Sequence, residues 1–133
     1  MTFFRICDGT TKTVALFKSV LNGANERPTP VITPGSAIGL LALNGTTASW
    51  WVTYSGLSAG ATASHVHGPA DANTAAGVMF GIGTPTGTAG VIAGTATITT
   101  TQAGHITAGN SYINIHTTSN PGGEIRGQLL LLP

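Results

Sequence analysis

Three observations predict an all-β fold, an antiparallel Greek-key sandwich or flattened barrel of about eight strands. Short runs of alternating or continuous apolar residues recur at regular intervals, turn residues separate them, and helical periodicity is nearly absent. The runs are TVALFKSVL, SAIGLLAL, ASWWVTY, TASHVH, GVMFGIG, VIAGTATIT, SYINIHT and EIRGQLLLL. A chain of 133 residues, 41% hydrophobic, has room for one modest core, and no internal repeat or second domain is visible.

The segment 1–13 reads as an N-terminal extension or extra strand, and 14–133 as the domain proper. The opening MTFFRICDGTTK carries an apolar patch too short for a complete secretory signal. The single Cys7 excludes an intramolecular disulfide and leaves packing, an intermolecular bridge or an idle thiol as its readings, packing first among them. After the first long run, Pro28, Pro30 and Pro34 remove backbone donors and make NERPTPVITPGS a connector. Asn44-Gly45 predicts a two-residue hairpin turn with positive φ at both central positions. Trp50 and Trp51 must face opposite ways, one into the core and the other outward. In TTTQAGHITAGN alternation is lost, so one short helical turn ending near Gly109 is expected there, with His105 on it.

Charge is scarce. Only 7% of residues are Asp, Glu, Lys or Arg and the net charge is +1, with no basic cluster, so neither nucleic acid nor an anionic membrane is an expected partner. No apolar run is long enough to insert into a bilayer as a helix. GIGTPTG lacks the lysine and following helix of a phosphate loop, and Ser64 faces away from its neighbour His65, so neither carries catalysis.

The residues with chemistry are histidines. His65 and His67 stand two apart on a strand and share a face; in SYINIHT the same parity groups Tyr112, Asn114 and His116 opposite Ile113 and Ile115. If the two strands are neighbours, His65, His67 and His116 meet around one point at the distance copper or zinc requires. His105, Asn114 and Tyr112 are further candidates, as ligands or as supports for the imidazoles. The plainer alternative is three histidines bonded to nearby carbonyls and hydroxyls, with no cofactor. Four of the nine charged side chains fall in NERP and GGEIRGQ, and ions placed in apolar strands pair, so Arg126 is expected to bond a carboxylate, Glu26 ahead of Glu124, as a structural clasp joining the first and last strands.

LNGANERP, then GLSAGATASHVHGPAD, then SYINIHTTSNPGGEIRGQL resemble the CHRD domain, over roughly residues 14 to 132. The resemblance implies a secreted or cell-surface β-sandwich module, with other extracellular proteins as partners. The order of an HxH strand, a later strand histidine and an arginine entering the last strand is also similar to copper/zinc superoxide dismutases, which implies an immunoglobulin-like or superoxide-dismutase-like sandwich. It would make His65, His67 and His116 copper ligands and Arg126 the anion-guiding residue. The chain departs from that pattern: no histidine lies between His67 and His105, no disulfide pair exists, and nine residues separate His116 from Arg126.

The leading expectation is therefore a non-enzymatic extracellular module binding copper, or alternatively zinc, through three histidines. A second is a subunit of a surface layer or filament, a homo-oligomer or polymer assembled by strand addition through the N-terminal segment. A third is a copper-dependent, dismutase-like redox enzyme.

Overall fold

The computed structural model describes residues 2–5 and 11–133, so Cys7 lies outside the described residues. Among the described residues ten strands and one α-helix follow in order, with a short 3-10 turn at Gly23–Asn25: β1 (Thr2–Arg5), β2 (Thr11–Asn22), β3 (Ser36–Asn44), β4 (Thr47–Ser55), β5 (Ala61–His67), β6 (Val78–Gly83), β7 (Gly90–Thr97), α1 (Thr100–Thr107), β8 (Tyr112–Thr117), β9 (Ile125–Gln128) and β10 (Leu130–Leu131). Eight of them form one antiparallel sheet in the order β6-β5-β8-β9-β2-β3-β4-β7, nearly closed into a barrel. The all-β class and the flattened-barrel reading both hold. β1 pairs with the start of β2, Thr2 opposite Val14, and β10 pairs with its middle, Leu130 opposite Lys18.

The alternation in the sequence maps directly onto burial. In β4 every second residue is buried, Ala48, Trp50, Val52 and Tyr54 facing inward and Ser49, Trp51 and Thr53 outward. Phe17, Leu21, Leu41, Val52, Val66, Ile113, Ile115, Ile125 and Leu129 fill the interior with no measurable exposure. Each such side chain contributes roughly 1.5–3 kcal/mol relative to an exposed position.

Two local expectations change. The β3–β4 turn has Gly45-Thr46 at its centre, between the paired Asn44 and Thr47, and only Gly45 (φ 62°) is positive. Glycine at the first central position is the type II′ solution, which spares Asn44 a left-handed conformation. The TTTQ segment forms a full eight-residue helix rather than one turn. Thr99 accepts from the Gln102 N–H while the Gln102 side chain accepts from the Thr99 N–H, a reciprocal cap that stabilises the first turn.

β8 is buried on both faces, with Ile113 and Ile115 towards the core and Tyr112 and Asn114 equally covered on the other side. The connection 68–77 lies over this second face, held by Ala70 N–H to the Asn110 carbonyl and by Gln128 Nε2 to the carbonyls of Ala70 and Gly109. Strand alternation predicts which face a residue takes, but not that a loop will cover the outer one.

Candidate metal centre

β5 and β8 are hydrogen-bonded neighbours, with His65 opposite Asn114, His67 opposite Tyr112 and His116 opposite Ala63. His116 is thus diagonal to His65, within reach across the ladder. Ser64 and Val66 turn inward, so the two β5 histidines share the outer face, where His116 meets them. Ring centroids stand 5.5 Å apart for His65–His67, 4.9 Å for His65–His116 and 5.6 Å for His67–His116. One nitrogen from each ring lies within 4.8 Å of the other two, and His65 Nδ1 is 3.1 Å from His116 Nε2. Nitrogens on one tetrahedral ion stand about 3.4 Å apart, so the rings need only a modest inward adjustment.

The hydrogen bonds determine which nitrogens are free. His67 Nδ1–H donates to the Ala76 carbonyl at 2.9 Å, and His116 Nδ1–H donates to the Pro121 carbonyl at 2.9 Å. Each bond fixes the tautomer and leaves a lone pair on Nε2, the outer support typical of a metal-ligating histidine; that of His116 accepts from His65 Nδ1–H, a bond an ion between the two would replace. His67 Nε2 is buried without any partner. A buried nitrogen lone pair with nothing to accept from is what an electron-pair acceptor would satisfy, so the residues present fit a metal ion.

Burial pushes the His65 and His67 pKa values below the usual histidine range, and the neighbouring imidazole of His116 adds to this in both. Both rings are therefore neutral near neutral pH, the state a metal requires. His67 is buried, whereas His65 and His116 are half-exposed, leaving one side of the cluster open. Gly81 stands across from His65 on β6, where even a β-carbon would come no closer than 4.0 Å to the ring.

Tyr112 supports the centre without joining it. Its ring stacks on His67 at 5.0 Å and 4°, and its hydroxyl donates to the same Ala76 carbonyl that holds His67. The Arg126 guanidinium lies 3.5 Å over the Tyr112 ring, and because β9 and β5 flank β8 on opposite sides, Tyr112 stands between Arg126 and His67. Asn114 is committed elsewhere, donating from Nδ2 to the Glu26 carboxylate and to the Ile125 carbonyl. His105 sits on α1 and is not one of the three clustered residues.

The expected ionic clasp takes a different form. Glu124 precedes β9, and its carboxylate accepts from the hydroxyls of Thr33, Ser58 and Thr117 and from the Ser58 N–H rather than from Arg126. Burial alone would raise its pKa, but those donors hold it below the usual carboxylate value. Glu26 is raised to about 7 by burial, which outweighs the Asn114 hydrogen bond and the nearby Arg126 charge. Arg126, 1% exposed, donates from Nη2 to the Asp71 carbonyl. Neutral partners thus do most of what the sequence assigns to ion pairing.

Sequence reasoning missed the two carbonyls that orient the rings, at Ala76 and Pro121. Backbone acceptors carry no side-chain signal; the only hint is that each histidine strand runs into a Gly- and Pro-containing turn, GPADANTAAG or SNPGG.

Among the described residues no helix is long and apolar enough to cross a membrane. No curated protein and no solved structure matches the chain. The family profile described as the CHRD domain matches residues 17–129, a span containing all three clustered histidines and both carbonyls that hold them. Such domains occur in extracellular proteins. With most of its length matched, the chain belongs to the CHRD domain family.

Proposed function

We propose that this chain is a secreted or cell-surface, non-enzymatic module that binds one transition-metal ion through His65, His67 and His116, copper in preference to zinc. The observation that carries the reading is the pair of Nδ1–H bonds to the Ala76 and Pro121 carbonyls, which turn two Nε2 lone pairs towards a common region. An all-imidazole set suits copper and zinc alike, and at equal availability the affinity order of divalent ions favours copper. A bound ion would offer Lewis acidity or one-electron chemistry at a position open to a small ligand. The chain's contribution is to keep His65 and His67 neutral and to hold the three rings oriented and partly shielded from water.

The test is titration of metal-free protein with copper(II) and zinc(II), with nitrogen hyperfine coupling read by electron paramagnetic resonance. One equivalent of copper bound by three nitrogens is expected, with affinity lowered at least tenfold in His67→Ala and in His116→Ala. Absence of stoichiometric binding, or binding indifferent to both substitutions, overturns the reading.

A second reading, a subunit of a surface layer or filament, is favoured by the outer face of β2-β3-β4-β7. Val20, Ile38, Leu40, Trp51 and Val91 are all exposed there, with Leu40 directly opposite Trp51. A contiguous apolar patch on a sparsely charged surface is a docking surface more often than an accident. Sedimentation at high concentration tests it: association abolished by Trp51→Thr supports assembly through this face, and a monomer at all concentrations removes it.

A further inference from the structure

On the far side of β9 from the histidines, a cavity of about 100 Å³ is bordered by Asn25, Arg27, Ala72, Arg126 and Gln128. We propose that this cavity binds a small oxyanion retaining one O–H group, of the hydrogen phosphate or hydrogen carbonate type.

Two unpartnered atoms define the ligand. Arg126 Nη1 and Gln128 Oε1 are both buried without a hydrogen-bond partner, and both residues border the cavity. One is a charged donor and requires an acceptor; the other is an acceptor and requires a donor. The Gln128 amide has no freedom to swap its ends, because Nε2 already donates to the carbonyls of Ala70 and Gly109. Nor is the guanidinium met by a hydrogen-bonded carboxylate among the described residues. Glu26 accepts from Asn114, Glu124 from Thr33, Ser58 and Thr117, and the Asp71 carboxylate from Asn73 and Thr74, while only the Asp71 backbone carbonyl reaches Arg126.

Arg27 brings a second guanidinium to the same cavity, held by its Nη1 donating to the carbonyls of Ala24 and Glu26. Burial lowers the Arg126 pKa more than the neighbouring Tyr112, Glu26 and Asp71 raise it, and the Arg27 charge adds to the lowering. Two cations near each other, Arg126 buried and Arg27 half-exposed, favour an anion between them. The volume admits a small tetrahedral or planar oxyanion but not a nucleotide. The ligand must then be an anion that accepts from Arg126 and Arg27 while donating one hydrogen bond to Gln128. Sulfate, fully deprotonated at neutral pH, meets the first requirement and fails the second.

The experiment uses the metal-free full chain in a chelator at fixed ionic strength, so that no anion is captured through a metal at the histidines. Inorganic phosphate and, separately, sulfate are titrated by calorimetry and by thermal unfolding. A saturable phosphate response is expected, with sulfate at least tenfold weaker. Arg27→Gln, at a half-exposed position that leaves the barrel core untouched, is expected to weaken phosphate binding at least tenfold while leaving the copper titration unchanged; Arg126→Lys serves as a second variant. No saturable response, as for a cavity that holds only water, overturns the proposal. So does an equal response to sulfate, or undiminished phosphate binding by Arg27→Gln.

Discussion

Glu26 shows how a single buried group sets the pH response of this protein. The residue is 4% exposed, and burial raises its pKa from 4.5 to about 7. Below pH 4.5 it is protonated whether the chain is folded or not. Between pH 4.5 and about 7 the unfolded chain releases the proton while the folded one retains it, so this residue's contribution to stability falls as pH rises and is least favourable above 7. Glu26→Gln keeps an acceptor for Asn114 and removes the titration. Chemical denaturation at pH 8 is expected to find the variant more stable than the parent by about 2–3 kcal/mol, and at pH 4 to find the two nearly equal. His65 and His67 act with the opposite sign: their pKa values are depressed, so their contribution is present above 6.5 and is lost as pH falls through their folded values. The histidine pattern was legible in the sequence because alternation alone places residues two apart on one face. The Glu26 environment was not, since the groups that meet its carboxyl, the Asn114 amide and the Arg126 charge, lie 88 and 100 positions away along the chain.

At the scale of elements, the β8–β9 hairpin does more than join two strands. Its turn supplies the Pro121 carbonyl that orients His116, and it passes through Gly123 at φ 124°, a conformation that L side chains rarely adopt. A β-carbon at Gly123 would lie 2.6 Å from the Asn114 amide and 2.8 Å from the Glu26 carboxylate. Gly123→Ala is accordingly expected to cost about 2–3 kcal/mol in stability, through backbone strain and the displaced Asn114–Glu26 contact. The same variant, titrated with copper, is expected to bind more weakly than the parent, because the turn that positions His116 must shift. Thr99 at the start of α1 makes a more ordinary comparison: its replacement by Ala costs about 1 kcal/mol by removing one cap, with the copper titration unaffected.

For the molecule as a whole, the decisive feature is how the sheet closes. β7 and β6 end the strand order, and side chains span the seam where ladder bonds stop: Trp50 Nε1–H donates to the Ile82 carbonyl at 2.8 Å, and the Tyr54 hydroxyl to the Thr86 carbonyl at 2.7 Å. Trp50 also packs on Phe80 of β6, centroids 5.9 Å apart. Trp50→Phe is expected to lower stability by about 2 kcal/mol, by stranding the Ile82 carbonyl and thinning the packing across the seam. Its neighbour Trp51, 55% exposed on the outer face, is expected to accept the same change within about 0.5 kcal/mol. Thermal or urea unfolding of the two variants side by side distinguishes these contributions.

What the sequence determined alone was the local and the periodic: eight strand runs, their inward faces, and three histidines of matching parity, because a two-residue repeat is written directly in residue order. The tertiary structure decided which strands became neighbours, that β8 is covered on both sides, and that Glu124 meets hydroxyls while Arg126 stacks on Tyr112. It also chose the two backbone carbonyls that aim the imidazoles. Those outcomes depend on long-range pairing and on loops laid over the sheet, and every residue of the chain offers the same carbonyl until the fold brings one of them to a ring.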